Sequence, residues 1–99
     1  MKSNRYLALD LATKADHDLR MAEIGFAHRA PLDTVAFHVQ QTAEKTLKAL
    51  LASRAIEYPR THDVEALLDL AAPRVPRVGK LSRAPSRALV LRGRDAVRR

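Results

Sequence analysis

Between residues 4 and 54 a single proline falls, Pro31, and on either side of it apolar residues recur at steps of three and four. That step is the signature of one face of an α-helix. Two such runs, about residues 4–28 and 33–54, take up half of a 99-residue chain and leave room for one domain with one modest core. Ala and Leu dominate both runs, aromatics make up 4% of the chain, and no β-branched run interrupts. Strong helix formers without strand formers predict an all-α, up-and-down helical bundle.

In the first run, Ala8, Leu11, Ala12, Ala15, Leu19, Ala22 and Phe26 form the apolar stripe. It is mostly alanine, which lets a neighbouring helix come close. Ala30-Pro31 ends it, because the residue before a proline is pushed out of the helical region. In the second run, Asp33 is a suitable N-cap. Ala36, Val39, Ala43, Leu47 and Leu50 make its apolar face, and each buried Leu should contribute about 1.5–3 kcal/mol. A third helix is expected over about 61–72, with Thr61 as its cap, Asp63 favourably placed in its first turn, and Val64, Leu67, Leu68 and Ala71 as its apolar face. Pro73 stops it. Residues 1–72 therefore read as the helical core. Residues 73–99 read as a basic, proline-interrupted tail with room for a short helix at about 86–98.

Charge divides the same way. Residues 1–70 carry nine Lys+Arg and ten Asp+Glu, a net of −1, whereas residues 71–99 carry nine Lys+Arg and one acid, a net of +8. The excess positive charge belongs to the tail, where it would attract phosphate backbones without sequence preference. With no cysteine there is neither a disulfide nor a thiolate metal site. No signal peptide and no membrane span is visible, so the chain is expected in the cytoplasm, without a membrane partner.

The polar stripe of the second run, Gln41, Glu44, Lys45 and Lys48, is the first candidate site, since it could line a groove for a phosphate or a nucleotide base. The plain alternative is the solvated face of an amphipathic helix, with Glu44 and Lys48 as an i, i+4 ion pair of a few tenths of a kcal/mol. The second candidate is Arg60 with His62 at the start of the third helix, where free N–H groups favour anions. Its plain alternative is a capping turn with His62 bonded to a neighbouring helix. Metal binding is not expected. His17 and His28 are eleven residues apart, about 16 Å along a helix, and His38 and His62 stand singly. No nucleophile elbow, P-loop or dinucleotide fingerprint is present. Neither a catalytic residue nor a cofactor follows from the residues alone.

The run Phe37-His38-Val39-Gln40-Gln41-Thr42-Ala43-Glu44-Lys45-Thr46-Leu47-Lys48-Ala49-Leu50-Leu51 resembles the signature helix of prokaryotic HEPN domains. Pro59-Arg60-Thr61-His62-Asp63-Val64 with Leu67-Leu68 resembles the turn and helix that follow it there, and Ala15 to Ala22 is similar to the family's first helix. The resemblance spans about residues 4–72. It implies a helical bundle that forms a homodimer and acts as the toxin-like partner of a minimal nucleotidyltransferase, which serves as antitoxin. RNA or nucleotide binding is implied as well. Many family members are metal-independent ribonucleases, using an Arg followed after four to six residues by a His that serves as acid or base at a ribose 2′-hydroxyl. Here no Arg stands four to six residues before any His. The family's regular closing helix also has no counterpart in residues 73–99, as expected of an atypical or frameshifted last third. A bundle lacking that helix is expected to expose an apolar groove. The readings that follow are a toxin-like interaction partner, a metal-independent ribonuclease, a non-catalytic nucleotide- or RNA-binding module, and a truncated gene product.

Overall fold

The computed structural model describes residues 3–82. It contains four helices among these residues: α1 (Asn4–Ala27), α2 (Leu32–Ser53), α3 (Val64–Ala71) and α4 (Pro76–Ser82). No strand occurs among them. The chain divides into two compact units, residues 1–67 and 68–99. The helix expected at about 86–98 lies outside the described residues.

The first unit is built on an antiparallel pairing of α1 with α2. Ser3 caps α1, its hydroxyl accepting the Tyr6 N–H at 3.1 Å, which satisfies one of the free donors of the first turn. Ala8, Ala15 and Ala22, spaced seven residues apart, are the buried residues of α1. These small side chains let α2 approach closely. At Ala15 the approach is marked by the Thr42 hydroxyl, which donates to its own His38 carbonyl at 2.9 Å and lies 3.4 Å from the Ala15 carbonyl. Near the turn Gly25 serves the same end. A Cβ there would stand 3.2 Å from Val35 Cγ2 and 3.4 Å from Ala30 Cβ, tighter than ordinary packing allows without a shift.

Both helices end in the same way. The Ala30 N–H returns to the Gly25 carbonyl at 2.8 Å, and the Ile56 N–H to the Leu51 carbonyl at 2.9 Å. This is the six-to-one bond of a Schellman end. It places Arg29 at φ 59° and Ala55 at φ 57°, a left-handed conformation that disfavours any residue with a Cβ. Ala55→Gly is therefore expected to stabilise the protein by about 0.5–1 kcal/mol, after allowing for the extra freedom of glycine in the unfolded chain. Urea denaturation would show it as a raised midpoint.

Two helix starts differ in detail from the sequence expectation. Pro31, not Asp33, precedes α2, and Asp33 sits in its first turn with its carboxylate accepting the Thr34 N–H at 2.9 Å. Before α3, the Asp63 carboxylate accepts from the N–H groups of Glu65 and Ala66 at 3.0 and 3.3 Å. Asp63 is thus the cap, while Thr61 supports it by accepting the Asp63 N–H at 3.0 Å. The longer-reaching carboxylate, two residues nearer the helix, takes the position.

The largest difference concerns which side of α2 faces in. Ala36 and Val39 are exposed, and Ala43, Leu47 and Leu50 are only half-buried. The buried residues are Glu44, Leu51 and Ala52. At 100° per residue the buried side lies roughly 120° around the helix from the apolar stripe. On α1, similarly, Leu19 is 42% and Phe26 71% exposed while the alanines of the same stripe are covered. Periodicity locates a stripe but does not say which stripe a neighbour covers.

The second unit, described by itself, holds the end of α3 and α4. Ala71, Val75 and Val78 are buried in it. Pro76 opens α4 at the first helical position, where its missing N–H costs nothing.

Candidate functional site

The buried side of α2 carries the polar residues that the sequence singles out. Gln41, Glu44, Lys45 and Lys48 lie at steps of three, one and three, on one face of the helix. Glu44 is the single buried charged residue among the described residues, 3% exposed, and its carboxylate is fully engaged. Lys48 donates to Oε1 at 2.9 Å, His62 Nδ1 meets the same oxygen at 2.9 Å, and Gln41 Nε2 reaches Oε2 at 3.5 Å. Burying a carboxylate is costly unless it is paired in this manner.

A second cluster stands beside the first. Lys45 donates to Asp18 Oδ2, and His38 Nδ1 lies 3.0 Å from Asp18 Oδ1. This ties α1 to α2. The candidate set therefore splits. Gln41, Glu44, Lys48 and His62 come together, Lys45 turns away to Asp18, and Arg60 stays exposed with no ion pair among the described residues. Asp18 and His38 complete the second cluster and are absent from the sequence-derived set. The signal for Asp18 was its place three residues after Ala15 and four before Ala22, beside the seam that α2 approaches.

The electrostatics follow from these contacts. Asp18 is held below its ordinary value of 3.8, first by the hydrogen bond from Lys45 and next by that from His38, against a smaller upward push from burial. For Glu44 burial is the largest influence and pushes upward, but the hydrogen bonds and charges of Lys48 and His62 together outweigh it and hold the group below 4.5. A carboxylate whose folded value is depressed stabilises the fold above its unfolded value and loses that contribution as pH falls through the folded one. Thermal unfolding followed by circular dichroism should accordingly show a Tm that falls once the pH drops below 4.5, with Asp18 adding to the loss below 3.8. A Tm unchanged down to about pH 3 would count against both pairings.

Chemically, the clusters offer held imidazoles more than free cations. Each ammonium is already matched by a carboxylate, which leaves little for an incoming phosphate. The His62 side chain is 87% exposed, so its Nε2 faces solvent while Nδ1 is held by Glu44, an arrangement that fixes ring orientation and tautomer. No group of residues able to hold a metal occurs among the described residues. No helix among them is long and apolar enough to cross a membrane.

On the opposite side of the α1–α2 pair runs an open groove of about 660 Å³. Leu9, 60% exposed, and Leu19, 42% exposed, stand along it with Ala12 and Leu50.

A strand-free helical pairing, joined by two carboxylate clusters and open along one apolar side, defines a small helical-bundle protein whose polar face is internally paired. The sequence matches the HEPN domain family over residues 8–90, and the chain belongs to that family. The match continues past Pro73, beyond the stretch of about 4–72 on which the sequence resemblance rests. No curated protein and no solved structure matches the chain.

Proposed function

We propose that the chain is a protein-contact module, the toxin-like HEPN partner of a minimal nucleotidyltransferase. The observation that carries this reading is the apolar side of the first unit. Leu9, Leu19 and Val39 are between 42% and 60% exposed, and the groove between α1 and α2 is open. Contiguous exposed apolar surface beside a groove is characteristic of a contact surface. The polar face, by contrast, is committed to internal pairs. The test is co-expression with the nucleotidyltransferase of a neighbouring gene, pulling on a tag carried by one chain. Co-elution in fixed stoichiometry supports the reading, and separate elution at low and moderate salt overturns it.

A second reading, a metal-independent ribonuclease, draws on the His62 imidazole held by buried Glu44. Such a group can move a proton at a ribose 2′-hydroxyl, but the Arg-then-His spacing of active family members is missing from the sequence. RNA incubated with the protein and a chelator is expected to stay intact. Cleavage that disappears in His62→Ala would establish the enzyme reading. For nucleotide or RNA binding without catalysis, residues 71–99, with a net charge of +8, would supply the attraction, which should then fall steeply with salt.

A further inference from the structure

All four histidines of the chain lie among the described residues, and two properties sort them. One is whether a carboxylate holds the ring, the other whether the ring meets solvent. His17 and His28 are exposed, and neither is paired with a carboxylate among the described residues. His38 is held by Asp18 at 3.0 Å, but its side chain is only 24% exposed, and the Phe37 ring stands edge-on to it with centroids 5.4 Å apart. Among the described residues His62 alone is both held and open. Its Nδ1 lies 2.9 Å from Glu44 Oε1, and its side chain is 87% exposed.

This combination settles where the ring is reactive. An ionised carboxylate can only accept a hydrogen bond. Glu44 is held below its ordinary value and is ionised near neutral pH, so the proton between the two groups sits on Nδ1. In the neutral ring the unshared electron pair is then on Nε2, the atom that faces solvent. Such a nitrogen is a nucleophile oriented by a third group. When Nε2 forms a new bond the ring becomes cationic, and the buried carboxylate behind it stabilises that charge through Nδ1–H without rearranging. His17 and His28 lack this support. Lys48 donates to the same Glu44 oxygen at 2.9 Å and offsets the repulsion that the carboxylate would exert on an anionic reagent.

We propose that His62 Nε2 is a phosphoryl-acceptor site that takes a phosphoryl group from a phosphoramidate donor, the chemical class to which a phosphorylated histidine of another protein belongs. The Nε2 electron pair attacks phosphorus and an N–P bond forms. The donor's own P–N bond breaks, and its nitrogen leaves with that electron pair. From phosphoramidate itself, whose nitrogen is already protonated, the leaving group is ammonia. Nδ1 keeps its proton against Glu44, and nothing is oxidised or reduced. The site goes beyond the protein-contact reading and does not depend on it, since capture of a nucleotidyltransferase does not bear on which histidine reacts.

The test incubates the full chain with potassium phosphoramidate under mildly alkaline conditions, which preserve phosphohistidine. Mass spectrometry of the digested protein gives the initial rate at each histidine, and phosphorus NMR distinguishes the Nε2 from the Nδ1 product. His62 should react about tenfold faster than His17 or His28, the effect of about 1.4 kcal/mol less barrier, and at Nε2 only. In Glu44→Gln, which keeps the shape and removes the charge, the rate at His62 should fall to that of His17 and His28, which serve as internal references in the same molecule. The comparison within the unaltered protein stands even if that variant folds poorly. Indistinguishable rates at the three exposed histidines, a phosphoryl group on Nδ1 of His62, or a rate at His62 unchanged in a folded Glu44→Gln would each overturn the proposal.

Discussion

Glu44→Ala is expected to cost about 3 kcal/mol of unfolding free energy, at the lower end of what breaking a buried ion pair costs. The substitution leaves the Lys48 ammonium, whose side chain is 15% exposed, without its partner. It also releases His62, which joins the segment before α3 to α2. The lower end applies because the exposed imidazole can turn to water. For a domain of this size the loss is a large part of a total of about 5–15 kcal/mol. Glu44→Gln, which keeps the shape and the hydrogen-bonding oxygen, should cost less. Replacing Glu44 by Leu together with Lys48 by Met should recover much of the loss, because a well-packed apolar pair avoids desolvating two charges. Equilibrium urea denaturation of the three variants decides the matter. A Glu44→Ala cost within about 0.5 kcal/mol of zero would place the residue on an ordinary surface.

Leu51→Ala is the second large effect. Leu51 is fully buried, 0% exposed, so truncation removes its transfer free energy and leaves a cavity, together about 2–5 kcal/mol. Its neighbour Leu50 belongs to the face that turns outward and is half-buried in the groove. Leu50→Ala should cost less than about 1 kcal/mol in the isolated chain. The same chemical change at adjacent positions thus separates the two sides of α2. Equal losses at both positions would mean that the helix is turned differently about its axis.

The extents of α1 and α2 were legible because an unbroken run of strong helix formers bounded by Pro31 leaves few alternatives. The inward face of α2 was not. Ala36, Val39, Ala43, Leu47 and Leu50 are the more apolar stripe, and hydrophobicity alone assigns them to the interior. The contrary outcome depends on residues far apart in sequence. Asp18 receives Lys45 and His38 from across the α1–α2 seam, and His62 returns to Glu44 after a turn. Charges that find partners on another segment can be buried, and no local pattern announces the partner. The same reason explains the candidate site. Glu44, Lys48 and His62 stood out as polar residues in a suggestive order, but their order could not show that they would satisfy one another. Asp18, read as one acid on an alanine-rich helix, gains its meaning only when α2 lies beside it. In the α3 start, Thr61 and Asp63 are both good caps, and which one serves depends on where the backbone first turns helical.

On α2, Glu44, Leu51 and Ala52 are buried, whereas of the apolar stripe Ala36 and Val39 are exposed and Ala43, Leu47 and Leu50 only half-buried. The natural chain has no cysteine, so single cysteines introduced on α2 report their own accessibility without interference. Val39→Cys and Ala52→Cys, exposed to a maleimide under native conditions, compare a position now 51% exposed with one 4% exposed. Rapid modification at Val39→Cys, with Ala52→Cys protected until denaturant is added, is the predicted result; modification of Ala52→Cys as fast as, or faster than, Val39→Cys in the folded protein would contradict it.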